Sequence, residues 1–176
     1  MVRTNGLNLY KNIVALAPGT IWNTKRWPAD RFAAVCKRVA SKNTAVVLLG
    51  GKEDEALCRH VIEIAHVEKV FNAAGTLTLL QSAEFIRRCK VLISNDSAPM
   101  HIAVAVGTPV VAIFGATIPE YGFAPRGPRD IVVETNGLPC RPCSIHGGKK
   151  CPINTFECMM AISPELVVDK VKSFLQ

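Results

Sequence analysis

Three clusters in this sequence combine residue types and spacings that could do chemistry. The first is Asp96, Ser97 and His101, lying in a polar interval and the stretch after it, between the apolar runs VLIS and VVAIF. Ala98 and Pro99 open the stretch that separates those runs. If it is a helix, its first N–H groups are unpaired and its dipole is positive at that end, so it offers an anion site. His101, on the first turn, adds a donor or a charge. Asp96 and Ser97 serve equally well as helix caps, the commonest task of such residues. The second cluster is APGTIWNTKRWP, residues 17–28, which puts a hydroxyl (Thr20) and a cation (Lys25) on a loop punctuated by Pro and Gly. It is not a G-x-G-x-x-G fingerprint, so a dehydrogenase-type dinucleotide site has little support. A lysine there suits a diphosphate as a point charge; Lys25 and Arg26 also read as solvated surface charges. The third is GGKEDE, residues 50–55. An acid after the second strand of a nucleotide-binding unit can accept hydrogen bonds from ribose hydroxyls. Asp54 is the preferred residue by position, Glu53 and Glu55 are close rivals, and all three also suit a helix N-terminus.

Four of the seven cysteines form a further group, Cys140, Cys143, Cys151 and Cys158, in the pattern C-x-x-C-x7-C-x6-C. Such a set could hold structural zinc tetrahedrally, with His146 as a substitute ligand. The second pair lacks Cys-x-x-Cys spacing, so the expectation is ordinary thiols, or disulfides formed on handling, with zinc as the alternative and His146 in solvent. Cys36, Cys58 and Cys89 fall in helical stretches and read as small core residues.

The elements that must carry these clusters alternate. Apolar runs at 13–17, 45–49, 69–72, 91–94 and 110–114 read as strands, and 131–133 as an edge strand. Helical periodicity covers 28–40, 53–65, 78–88, 99–106 and 164–175. In the 78–88 helix the expected apolar positions are Leu79, Leu80, Ala83 and Ile86, with Thr76 or Thr78 as the cap. Gly107 stops the fourth helix. Residues 1–12 read as a polar lead-in, 118–130 as a surface loop and 138–160 as a cysteine-bearing loop. Alternating strands and helices predict an α/β fold, a Rossmann-like doubly wound parallel sheet, over residues 13–176. In the usual strand order the first and fourth strands are neighbours, which brings the first two clusters to one crevice.

The chain has 176 residues, 49% hydrophobic and 20% charged, which fits one globular domain and excludes a disordered or fibrous protein. No apolar run reaches the ~18 residues of a membrane span, and the N-terminus lacks a signal-peptide core, so a cytoplasmic location is expected. A net charge of +7 suits an acidic partner: a nucleotide sugar, an anionic membrane surface or nucleic acid. No block of like charges stands out and aromatics are 6%, so nucleic acid is not expected.

Two of these stretches resemble one family. DSAPMHIAVAVGTPVVAIFGAT, residues 96–117, is similar to the signature of the ADP-heptose glycosyltransferases, the heptosyltransferases of lipopolysaccharide core synthesis. Ala98 stands where that family more often has glycine. The Pro18-Gly19 to Lys25-x-Trp27-Pro28 stretch resembles it too, and in the family the matching lysine contacts the phosphates of the nucleotide sugar. The resemblance implies one half of a two-domain GT-B enzyme, the C-terminal half that binds ADP-heptose. It implies Thr20, Lys25, Asp54, Leu77, Asp96, Ser97, Ala98 and His101 as donor-binding residues, with Leu77 against adenine. It also implies inverting transfer of heptose to the inner core without a metal cofactor, Lys25 stabilising the leaving group. The N-terminal acceptor-binding half and its general base are then absent from this sequence. On that reading the chain alone is expected to bind the donor and to turn over poorly or not at all. The acceptor and an anionic membrane surface at the inner face of the inner membrane are the further partners implied. The competing reading is a non-catalytic basic module with a zinc loop that docks nucleic acid or protein.

Overall fold

The computed structural model describes residues 6–175, and the first five residues of the expected lead-in lie outside that range. Six parallel strands form one sheet: β1 (Asn12–Ala17), β2 (Thr44–Leu48), β3 (Val70–Asn72), β4 (Val91–Asn95), β5 (Val110–Phe114) and β6 (Ile131–Glu134). Their spatial order is β3-β2-β1-β4-β5-β6, the doubly wound arrangement in which the chain turns back beside β1. The β1–β4 pair runs in register from Val14 opposite Val91 to Ala17 opposite Ser94, so both strands end at the same level. Neighbouring strands β4 and β5 pair from Leu92 opposite Val110 to Asn95 opposite Ile113.

Five helices cover the faces: α1 (Ala29–Val39), α2 (Glu55–Ala65), α3 (Leu79–Arg87), α4 (Ala98–Ala105) and α6 (Pro164–Lys172); a short α5 (Glu157–Met160) precedes the last. Alternate strand residues feed two cores, because successive side chains point to opposite sides of a sheet. Val14, Leu16, Val46, Leu48, Ile93 and Ile113 pack beneath α1, α2 and α6, around Phe32, Cys58 and Val168. Ala15, Ala17, Val47, Leu92, Ala112 and Phe114 form the other, against α3 and α4 through Phe85, Ile86 and Met100. Every residue of β2, β4 and β5 is buried, which is why these strands read as continuous apolar runs.

The structure corrects several expectations. Leu7, placed by sequence in a lead-in, sits in a 3-10 turn and is buried in the second core. The α3 helix has a capping box between Thr78 and Gln81, but Leu79 and Leu80 are 69% and 81% exposed; its buried face is Phe85 and Ile86. Ile86 is buried as its spacing predicts, while Leu79 and Leu80 turn outward, Leu79 into the crevice at the strand ends. The cysteine-bearing loop, expected without regular structure, contains α5, which Phe156 starts from a left-handed backbone that no capping rule signals. No described helix is long and apolar enough to cross a membrane.

Candidate functional site

A cleft of about 690 Å³ opens at the C-terminal ends of β1, β2 and β4. Thr20, Lys25, Asp54, Leu77, Asp96, Ser97 and Ala98 all line it. His101 does not: it is exposed on α4, away from the lining.

Lys25 and Asp96, both in its lining, form an ion pair. Lys25 Nζ lies 2.6 Å from Asp96 Oδ2, with the side chains only 13% and 5% exposed. The same carboxylate oxygen accepts a hydrogen bond from Thr117 Oγ1 at 2.7 Å. Asp96 is therefore an anchor for the lysine, not a helix cap. Ser97 holds the N-cap position of α4 without a side-chain cap bond, and helix geometry begins at Ala98, one residue before Pro99. Proline in this first turn carries no N–H to leave unpaired. The Ser97 hydroxyl lies 3.4 Å from both the Asn95 carbonyl and the Ser94 hydroxyl.

Asn95 joins the two loops. Its Oδ1 accepts from the Trp27 backbone N–H at 3.1 Å and its Nδ2 donates to the Pro18 carbonyl at 2.8 Å. Trp27 is fully buried, stacks edge-on with Phe32 at 5.0 Å, and donates from its indole to the Ile162 carbonyl. The segment carrying Lys25 is thus pinned on both sides of a short 3-10 turn, Asn23–Lys25.

On the β2 side, Asp54 enters the cleft against glycines. A Cβ added at Gly19 or Gly50 would collide with its carboxylate. Burial pushes its pKa up, opposed by the Gly51 N–H and the charge of Arg26. Of the rival acids, Glu53 also lines the cleft, whereas Glu55 is turned to Arg59, 2.8 Å away. Arg26, which the sequence offered as a solvated charge, lines the cleft as well. Its Nη2 donates to the Thr20 carbonyl at 2.5 Å, and its Nε is buried without a hydrogen-bond partner. His146 also borders the cleft. Neither it nor Arg26 carried a spacing signal; only the fold of the 138–160 loop brings His146 back to β1.

Among the described residues no group of three or more His, Cys, Asp or Glu side chains is arranged to hold a metal ion, so the four loop cysteines do not form a tetrahedral set. All seven cysteines are free thiols. Cys36, Cys58 and Cys89 have pKa values pushed up to about 12, chiefly by burial. Cys151 differs, because hydrogen bonds from backbone N–H groups, Phe156 first, lower its pKa.

With this geometry in place, the comparison with known proteins is direct. The sequence profile of Glycosyltransferase family 9 (heptosyltransferase) matches residues 3–152. This chain belongs to that family. Among its relatives, lipooligosaccharide heptosyltransferase 2 of Campylobacter jejuni is 30% identical over 172 residues, covering 94% of this chain and 52% of that protein. The chain spans about half the length of the curated relatives it matches. The fold agrees: the structure of E. coli ADP-heptose LPS heptosyltransferase II superposes with a TM-score of 0.79 at 24% identity, over 99% of this chain and 49% of that one. E. coli heptosyltransferase WaaC with ADP-2-deoxy-2-fluoro heptose gives 0.66 at 17% identity, over 94% and 44%.

Proposed function

We propose that the cleft binds the ADP part of ADP-heptose, and that this chain is the donor-holding portion of an inverting heptosyltransferase of the lipopolysaccharide inner core. The observation that carries the reading is the Lys25–Asp96 pair, enclosed in a cleft at the switch point of the sheet beside the start of α4. The names of the relatives and the sugar-nucleotide bound in a structural neighbour support the same donor.

The chemistry follows from fixed charge. As the bond between heptose C1 and the diphosphate oxygen breaks, negative charge grows on the departing ADP. An ammonium held by a carboxylate keeps further N–H donors for phosphate, and free N–H groups at the first turn of α4 add to them. Because Asp96 and Thr117 hold Lys25 before the donor arrives, little reorganisation is left for the reaction itself. Asp54 accepts the ribose hydroxyls, Leu77 contacts adenine, and Thr20 completes the phosphate side. Fixed charges take the place of a divalent ion in this reading, and the family-9 chain needs no cofactor besides its sugar-nucleotide substrate. The base that takes the acceptor proton is assigned to none of these residues, so the 176-residue chain binds donor without appreciable transfer. The setting is cytoplasmic, at the inner face of the inner membrane, where the basic surface meets anionic lipid.

Calorimetric titration tests the reading. ADP should bind and UDP should bind weakly, and Lys25→Ala should weaken ADP roughly 10- to 100-fold, since a charge-assisted hydrogen bond contributes about 1.5–3 kcal/mol. Equal affinity for ADP and UDP, or an unchanged ADP affinity in Lys25→Ala, would count against it. Heptose transfer by the chain alone would overturn the division of labour.

A further inference from the structure

Besides lining the cleft through His146, the cysteine-bearing loop makes two sets of contacts that lead to Lys25. At the stem, Gly148 donates its N–H to Thr24 Oγ1 at 2.7 Å and accepts from the Thr24 N–H at 3.1 Å. Gly147, at φ +88°, lies so close that a Cβ there would be 2.9 Å from Lys25 Cδ. At the head, the connection runs through Arg141, which lies between Cys140 and Cys143. Its side chain is only 5% exposed. Nε donates to the Gly115 carbonyl at 2.5 Å, Nη1 to the Thr135 carbonyl at 2.7 Å, and Nη2 to the Thr117 carbonyl at 2.7 Å and to Glu134 Oε2 at 2.5 Å. Thr117, so fixed, gives its hydroxyl to the Asp96 oxygen that holds Lys25.

We propose that Arg141 is a positioning residue for the diphosphate end of the donor site, acting through Thr117 and Asp96 on Lys25. The planar guanidinium is suited to this, since its rigid fork can satisfy several carbonyls at once where a lysine would satisfy fewer. The segment after β5 has no helix to steady it before Pro119; Arg141 holds the Gly115 and Thr117 carbonyls from across the loop, and the Cys143 N–H donates to the Ala116 carbonyl between them at 2.9 Å. The 138–160 loop thereby supports the site through Arg141, while none of its cysteines lines the cleft. The inference rests on the reading that the cleft binds ADP.

The test uses the whole chain with two ligands. Adenosine fills the base and ribose end and lacks phosphate; ADP reaches Lys25. Thr117→Val removes only the hydroxyl and leaves Arg141 in place, so ADP affinity should fall about tenfold, as for one hydrogen bond to a charged group, while adenosine affinity stays within about twofold. Thr117→Ser keeps the hydroxyl and should restore most of the loss. Arg141→Lys should shift the same ratio in the same direction. Parallel loss of ADP and adenosine affinity in these variants, or an unchanged ratio in well-folded protein, would refute the relay. Absence of ADP binding by the unaltered chain would remove the reading beneath it and the relay with it; binding that is insensitive to Thr117→Val would remove the relay alone.

Discussion

Replacing Asn95 should separate what holds the cleft together from what merely lines it. Its side chain is fully buried and makes two hydrogen bonds, to the Trp27 N–H and to the Pro18 carbonyl, both in the segment that follows β1. Asn95→Leu keeps the volume nearly constant but strands a donor and an acceptor away from water. Each stranded group costs about 1–3 kcal/mol, so the pair should cost roughly 2–6 kcal/mol. That is a large share of the ~5–15 kcal/mol that stabilises a typical domain. In urea unfolding followed by tryptophan fluorescence, with a slope near 2–3 kcal/mol/M, the midpoint should drop by roughly 0.7–3 M. Asn95→Ala should fall further, because it adds a cavity to the same two losses. A midpoint within about 0.3 M of the native value for Asn95→Leu would show that the two groups find other partners, and would refute the idea that Asn95 splices the loops.

Three further outcomes follow from the same geometry. Asp54 has its pKa raised above the ordinary 3.8, mainly by burial. Protonation therefore favours the folded form, this carboxyl's contribution to stability grows as pH falls, and adenosine affinity should decline on acidification at a pH above that of an exposed aspartate; Asp54→Asn should abolish the decline. Gly19→Ala places a methyl against the Asp54 carboxylate, so adenosine affinity should fall several-fold, and the double variant with Asp54→Asn should lose little more than either single one, as a double-mutant cycle by calorimetry will show. Cys151, with its lowered pKa, should be carbamidomethylated by iodoacetamide well before Cys36, Cys58 and Cys89, as peptide mapping over time will reveal.

What the sequence disclosed and what it hid divide along physical lines. Buried parallel strands must be apolar throughout, so VLIS and VVAIF announced β4 and β5, and the polar break between them announced the switch point. The Lys25 and Asp96 clusters could be placed at one crevice because strand order follows from the alternation of elements. Their direct contact could not, since it depends on the 3-10 turn Asn23–Lys25 and on side-chain reach. His101 showed the limit of reading a helix start by spacing: with α4 beginning at Ala98, the histidine falls on an exposed face. The contacts of Thr117, Arg141 and His146 were hidden for another reason. These residues lie after β5, where periodicity fades, and act through long-range contacts such as Arg141 to Gly115 that no local pattern encodes. Asn95 closes β4, and an amide that joins two loops looks, one-dimensionally, like any residue of a polar interval.

The central claim is that the diphosphate of ADP sits between Lys25 and the start of α4. An amide-resolved NMR titration of the labelled chain with ADP tests it most directly. The account predicts that the largest shifts fall on the N–H groups of Ser97, Ala98, Gly19, Thr20 and Lys25, with smaller ones at Gly51 and Asp54, and that adenosine moves only the latter group. Shifts concentrated on β6 and α6, or an identical pattern for ADP and adenosine, would contradict it.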